Sequence, residues 1–182
     1  KCSGFDGVII TGKAEKPVYL LVTDGKAEIR DASHLWGKVG EETIKILNRE
    51  VTAELTKRKP NVGIWREPGI IYIGPAGENM VRNAAVMSKL CHSAGYGGYG
   101  ALMGSKKLKA VVAKGRGRIP MVDDPDAVKV LWRRAHRVLI SGTQMRRYGT
   151  GYLGYSVGAE NSSEPIRNWQ TEWHDEKSYM GP

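Results

Sequence analysis

The chain has 182 residues, 41% of them hydrophobic, enough for one sizeable core and a domain or slightly more. Its 28 Lys and Arg against 19 Asp and Glu give a formal charge of +9, which favours phosphates, acidic proteins or nucleic acid without deciding among them. No apolar run approaches the roughly 20 residues of a membrane span, no signal-peptide pattern is present, and Cys2 and Cys91 lack the spacing of a disulfide framework or zinc site. A soluble protein with free thiols in a reducing cytoplasm is expected. Because the sequence opens on Lys1, it reads as an internal piece of a longer chain.

In chain order, Gly7 to Thr11 is a short apolar run of strand length, and Pro17 to Thr23 is rich in β-favouring Val and Tyr. Asp24-Gly25 supplies the positive-φ pair of a two-residue hairpin leading into Lys26 to Arg30. From Glu41 to Leu55 the period changes: Ile44, Leu47, Val51 and Leu55 fall at helical spacing among charged residues, as in an amphipathic surface helix. Lys57 to Pro60 reads as a basic turn, and Gly69 to Ile73 as a buried strand ended by Gly74-Pro75.

The positions Val81, Ala84, Ala85, Met87 and Leu90 predict a helix from Glu78 to Leu90, running directly into the glycines from Ala94 to Gly104. Leu108 to Ala113 reads as a strand behind the basic cluster Lys106, Lys107 and Lys109. Gly115 to Pro125 mixes Gly, Pro and a charge switch, as at a domain boundary. A second domain then opens with a helix from about Asp126 to Leu139, carrying Val128, Leu131, Trp132, Ala135 and Leu139 on one face, followed by a Gly- and Tyr-rich loop. The expected fold class is α+β: a mixed strand/helix base domain over residues 1–118 and the start of a mainly helical domain over 119–182.

The segment from Ser93 to Lys106 is the most informative, because so many glycines cost backbone entropy unless left-handed dihedrals or close ligand approach require them. An incoming helix, exposed backbone N–H groups and nearby lysines suit a phosphate or other anion. A tightly packed structural turn is the plain alternative. Gly95-x-Gly97-x-x-Gly100 matches the dinucleotide fingerprint formally, yet the predicted order, helix then glycines then strand, is the reverse of what that site needs. Gly104-Ser105-Lys106 has hydroxyl and lysine in the wrong order for a P-loop.

The run Ala94-Gly95-x-Gly97-Gly98-x-Gly100-Ala101-x-Met103-Gly104-Ser105-Lys106-x-Leu108-Lys109-Ala110 resembles the signature of the aldehyde ferredoxin oxidoreductases, tungsten enzymes built on two pterins. Gly12 to Tyr19, Ile29 to Lys38 and Ile73 to Asn79 are similar to family sequence in the same order, with weaker echoes at Tyr148-Gly149-Thr150 and around Asn168. The resemblance implies an α+β base holding a tungsten bis-pterin cofactor whose phosphates are bridged by magnesium, beneath two largely helical domains. It assigns pterin contacts to His92, Gly95 and Tyr96, close approach to Gly97 and Gly98, and the backbone carbonyl of Ser93 to the magnesium bridge. The family often carries Arg where His92 and Tyr96 stand, so two fixed charges are missing here.

By the same resemblance the iron-sulfur ligands and the proton-transferring residues lie beyond Pro182, and another pterin-binding glycine segment lies before Lys1. The implied reaction is oxidation of an aldehyde to a carboxylic acid with ferredoxin, or an iron-sulfur subunit, as electron acceptor. An aromatic acyl-CoA reductase subunit of the same family is the nearest rival, and homo-oligomerisation fits either. A nucleic-acid-binding module, resting only on charge and Tyr-Gly content, is the rival from another class; nucleic acid is not the expected partner.

Elsewhere the plain readings are favoured. His34 after Asp31 suits a local hydrogen-bonded turn better than a catalytic dyad, and His136 reads as a solvated residue on a basic helix. Glu172, His174 and Glu176 suit a polar surface segment better than a metal site. Tyr148, Tyr152 and Tyr155 suit loop packing better than base stacking.

Overall fold

A computed structural model describes residues 2–58, 66–89, 92–117, 122–149 and 170. The chain divides into two compact units, Lys1–Ile119 and Pro120–Pro182. The first is α+β. Its elements are β1 (Val18–Thr23), β2 (Lys26–Asp31), a 3-10 turn (Ser33–Leu35), α1 (Gly40–Arg58), β3 (Gly69–Tyr72), the one-turn helix α2 (Pro75–Glu78), β4 (Val86–Ser88), β5 (His92–Ala94), α3 (Tyr99–Ser105) and β6 (Leu108–Ala113).

The six strands form one mixed sheet in the order β2-β1-β6-β3-β4-β5. Only β1 and β6 pair in parallel; the other neighbours are antiparallel. The hairpin joining β1 to β2 turns at Asp24 and Gly25, with φ of 45° and 79°, the two positive values that match the twist of the flanking strands. β1 is buried on both faces. Tyr19 and Leu21 join Leu47, Val51 and Leu55 of α1 in one core, while Leu20 and Val22 pack with Leu108, Ile10 and Met103 in another. α1 fits its ends, with Glu41 and Glu42 in the first turn and Lys57 and Arg58 in the last, opposite in sign to the helix dipole. The predicted basic turn therefore begins inside α1; Lys59 and Pro60 lie outside the described residues.

Three other expectations are corrected. Gly7 to Thr11 forms no strand; Val8 and Ile9 are exposed. The helix expected from Glu78 to Leu90 is absent over the described residues: the chain leaves α2, turns through Met80 with φ 55°, and enters β4, where Met87 pairs with Tyr72 and Ser88 with Ile71. Pairing with β3 and burial of Ala84 override a helical preference carried mainly by alanines. Finally, the glycine segment is a strand, a turn and a helix, since α3 takes Tyr99 to Ser105.

In the second unit, α4 (Pro125–Ser141) begins where Asp124 accepts from the N–H groups of Asp126 and Ala127, with Pro125 in the first turn. Within the described residues Val128, Leu131, Trp132 and Leu139 are exposed. α5 (Thr143–Tyr148) replaces the first part of the predicted loop. Tyr152, Tyr155, Glu172, His174 and Glu176 lie outside the described residues.

Candidate functional site

The residues assigned by resemblance gather at one edge of the sheet. His92 and Ser93 lie on β5, which pairs with β4 and has no strand on its outer side among the described residues. Gly95 to Gly98 form the turn into α3, and Gly97 and Gly98 take φ of 102° and 68°, values that favour glycine. His92, Ser93, Gly95, Tyr96 and Gly97 are all exposed, and Tyr96 retains 96% of its accessible surface.

The glycines divide by the reason for their smallness. A Cβ on Gly98 would overlap the carbonyl oxygen of Arg82, and one on Gly104 the carbonyl oxygen of Gly77. On Gly100 it would lie 2.7 Å from the carbonyl oxygen of Ala85. These three are required by backbone packing of α3 against α2 and the residues after it. Gly97 faces the ring of Tyr99 at 3.0 Å. Gly95 differs, because a Cβ there meets only the Ser93 hydroxyl oxygen, at 3.6 Å. The uncrowded backbone at Gly95 and the bare ring of Tyr96 leave room for a flat ligand laid across the turn, whereas Gly98, Gly100 and Gly104 are kept small by the backbone packed against them.

Strand, glycines and helix do follow one another in the order of a dinucleotide site, so the sequence-level reason for rejecting one was wrong. Topology excludes it instead. Tracing the pairings makes β5 antiparallel to β6, and β3 and β4 intervene, so β5, α3 and β6 form no parallel βαβ unit.

In this structure the lysine cluster holds the chain to itself. Lys106 donates to the carbonyl of Gly12 at 3.0 Å and Lys107 to that of Glu15 at 2.6 Å. Lys109 is fully buried, where it donates to a carboxylate oxygen of Glu78 and, at 3.0 Å, to the carbonyl of Lys38. The other oxygen of Glu78 accepts the N–H of Gly37 at 2.7 Å. Sequence reasoning missed this arrangement, whose only signal was that all its members lie in the matched motifs.

Asp31 accepts from the backbone N–H of Ser33 at 3.0 Å and from its hydroxyl at 2.9 Å, bonds that hold its carboxyl below the usual carboxylate range. The local turn is therefore the reading that holds; His34 lies 3.1 Å from Glu50 on α1. His136 is exposed and stacks on Trp132 at 4.9 Å. Among the described residues no three His, Cys, Asp or Glu side chains are grouped to hold a metal, and no helix is long and apolar enough to cross a membrane. Cys91 lies outside the described residues. An apolar cleft of about 500 Å³ opens between the segment from Val8 to Ala14 and the outer face of β1 and β2, lined by none of the turn residues.

An α+β unit of this topology with a bare glycine turn at its edge corresponds to a domain of known oxidoreductases. Residues 1–115 match the N-terminal domain of aldehyde ferredoxin oxidoreductase. The chain is 55% identical over 175 residues to a protein of Pyrococcus furiosus named as the WOR-like subunit of an aliphatic sulfonate oxidoreductase, and 39% identical over 174 residues to a tungsten-containing aldehyde ferredoxin oxidoreductase of the same organism. These alignments take in 96% and 94% of the chain but 28% and 27% of the relatives, so the chain spans little more than a quarter of their length. Among solved structures, the active-site complex BamBC of benzoyl coenzyme A reductase, bound to 1,5-dienoyl-CoA, superposes with a TM-score of 0.54 at 38% identity, covering 69% of this chain and 18% of that one. The chain belongs to the aldehyde ferredoxin oxidoreductase family.

Proposed function

We propose that this chain is part of the pterin-binding base of a tungsten oxidoreductase, with residues 1–118 in the base domain and 119–182 opening a helical one. The observation that carries the reading is the turn from His92 to Gly98, exposed on an edge strand and lying within the segment that matches the family's N-terminal domain. When bound, the tungsten bis-pterin supplies the two-electron chemistry that converts an aldehyde to a carboxylic acid, with electrons leaving through an iron-sulfur cluster to ferredoxin.

The share of this chain is binding and orientation. Gly95 and Gly97 let the backbone approach the pterin, with Gly98 setting the entry to α3. Tyr96 offers a ring face for stacking and His92 a ring for stacking or hydrogen bonding. The carbonyl of Ser93 would help hold a magnesium ion, being an oxygen donor of the kind that ion takes. Cluster ligands and proton-transferring groups belong to other parts of the subunit. A cytoplasmic enzyme working with ferredoxin, in single or oligomeric form, is the setting this implies.

A second reading concerns the substrate. The 55% identity to a protein named as a subunit of an aliphatic sulfonate oxidoreductase exceeds the 39% to a named aldehyde enzyme, which favours an aliphatic sulfonate as substrate. Both readings are tested on the full-length subunit purified without oxygen. Tungsten and pterin should co-purify, and ferredoxin should be reduced with simple aldehydes or, on the second reading, only with aliphatic sulfonates. Protein lacking both tungsten and pterin, or reducing aromatic acyl-CoA instead, would overturn them.

A further inference from the structure

We propose that the buried ion pair of Lys109 with Glu78 is a positioning device for the glycine turn, acting on the cofactor through the backbone of α2 and α3; this rests on the reading of that turn as the cofactor-contacting element. Lys109 is at a bulge. Val18 pairs with Leu108 but the next residue, Tyr19, pairs with Ala110, so β6 passes over Lys109 in its register with β1. That slip puts Leu108 in one core cluster and Ala110 in the other. The Lys109 side chain is 0% exposed and that of Glu78 is 3% exposed.

The hydrogen bonds of the pair tie β6 and α2 to each other and to the segment at Gly37 and Lys38. The Lys109 amine holds Glu78, the last residue of α2, and the carbonyl of Lys38. Glu78 in turn holds the N–H of Gly37. From α2 to the turn, the contacts are backbone against backbone. A Cβ on Gly77 would lie 3.0 Å from the carbonyl oxygen of Gly100, the Gly104 backbone abuts Gly77, and the Gly98 backbone abuts Arg82. Gly100 also donates its N–H to the carbonyl of Ala84 at 2.9 Å. Backbone packed on backbone yields little, so a shift of α2 reaches Gly98 and the exposed residues before it.

Stability alone does not explain an ionic pair at this place, because well-packed apolar residues of similar volume commonly serve stability as well or better. What apolar residues cannot supply is three directed hydrogen bonds joining these three segments. The role resembles that of outer groups that orient metal ligands without touching the metal.

The test uses the full-length subunit purified without oxygen, with thermal unfolding, tungsten and pterin per subunit, and the electron paramagnetic resonance of the metal as readouts. The double variant Lys109→Met with Glu78→Met removes the charges together. It should unfold at or above the midpoint of Leu47→Ala, a core variant on the buried face of α1, yet hold about tenfold less tungsten and pterin and show a shifted resonance, while Leu47→Ala keeps its full complement. Should the double variant fail to fold, Glu78→Asp, which keeps the charge and shortens its reach, should fold with reduced cofactor and a shifted resonance. A folded double variant, or a folded Glu78→Asp, with full cofactor and an unchanged resonance would overturn the positioning role. Tyr96→Ala separates the two levels: if it too leaves cofactor untouched, the reading of the turn falls and the inference with it. If Tyr96→Ala loses cofactor and the pair variants do not, only the inference falls.

Discussion

Lys109 and Glu78, 31 residues apart, meet in the interior, where the amine bonds the carboxylate and the carboxylate's second oxygen takes the N–H of Gly37. Three of the matched segments, around Trp36-Gly37-Lys38, Gly77-Glu78-Asn79 and Leu108-Lys109-Ala110, thus converge on one ion pair. Lys106 and Lys107 tie the fourth, around Gly12 to Glu15, to the turn between α3 and β6. Removing one partner leaves the other charge buried alone. Lys109→Met or Glu78→Met singly should each cost about 3–5 kcal/mol, and the double variant should recover most of it. The check is a double-mutant cycle on thermal unfolding; additive losses would contradict the coupling.

Gly104→Ala places a methyl against the carbonyl of Gly77, backbone that cannot rotate away, and should destabilise by about 1–3 kcal/mol. Gly95→Ala meets open space and should stay within about 0.5 kcal/mol of the parent. Comparing the unfolding midpoints of the two variants checks this; equal losses would mean that the contact of α3 with α2 is looser than described.

The acid limb of stability should carry the mark of Glu28. Hydrogen bonds from Arg58 and then Arg30 lower its pKa to about 2, and Glu54 is also lowered, first by Arg30. The folded-state values lie below the unfolded ones, so the stabilisation is complete above the unfolded pKa of roughly 4.3 and is lost as pH falls toward 2. The stability difference between parent and Glu28→Gln should therefore be constant above about pH 5.5 and shrink below it. A difference that stays constant down to pH 2.5 would contradict the assignment.

Thr23 ends β1 with its hydroxyl buried and without a hydrogen-bond partner among the described residues. Thr23→Val keeps the β-branched shape and removes the unmet polar group, so it should be neutral or raise stability by up to about 1 kcal/mol. A loss of more than about 1 kcal/mol in denaturant unfolding would show that the hydroxyl has a partner.

The hairpin and α1 were legible because local chemistry and tertiary structure agree there: Asp24-Gly25 suits only a tight turn, and Leu47, Val51 and Leu55 share one helical face. The segment after Glu78 was not. Ala84, Ala85 and Met87 read as helix, but Met87 is held in β4 by pairing with Tyr72, a contact that no local pattern reveals. α3 was hidden for the opposite reason, since Gly100 and Gly104 are poor helix formers kept small by the backbone packed against them. Lys109 read as one of a basic cluster suited to an anion, because a bulge and a distant carboxylate leave no trace in its neighbours. The assignment of His92 to Gly98 came from resemblance, whereas their place at the sheet edge and the separation of Gly95 from the packing glycines needed coordinates.

That separation supplies the most direct measurement. Gly95→Val in the full-length subunit should leave the fold unchanged, since the first added carbon meets only the Ser93 hydroxyl, at 3.6 Å, but it would fill the space assigned to the pterin. Gly97→Val is a poorer choice, because its φ of 102° would strain any side chain whether or not a ligand is present. Tungsten and pterin per subunit, measured after oxygen-free purification alongside the unfolding midpoint, decide the matter. The account predicts an unchanged midpoint with most of the metal and pterin lost; an unchanged midpoint with a full complement of both would contradict it.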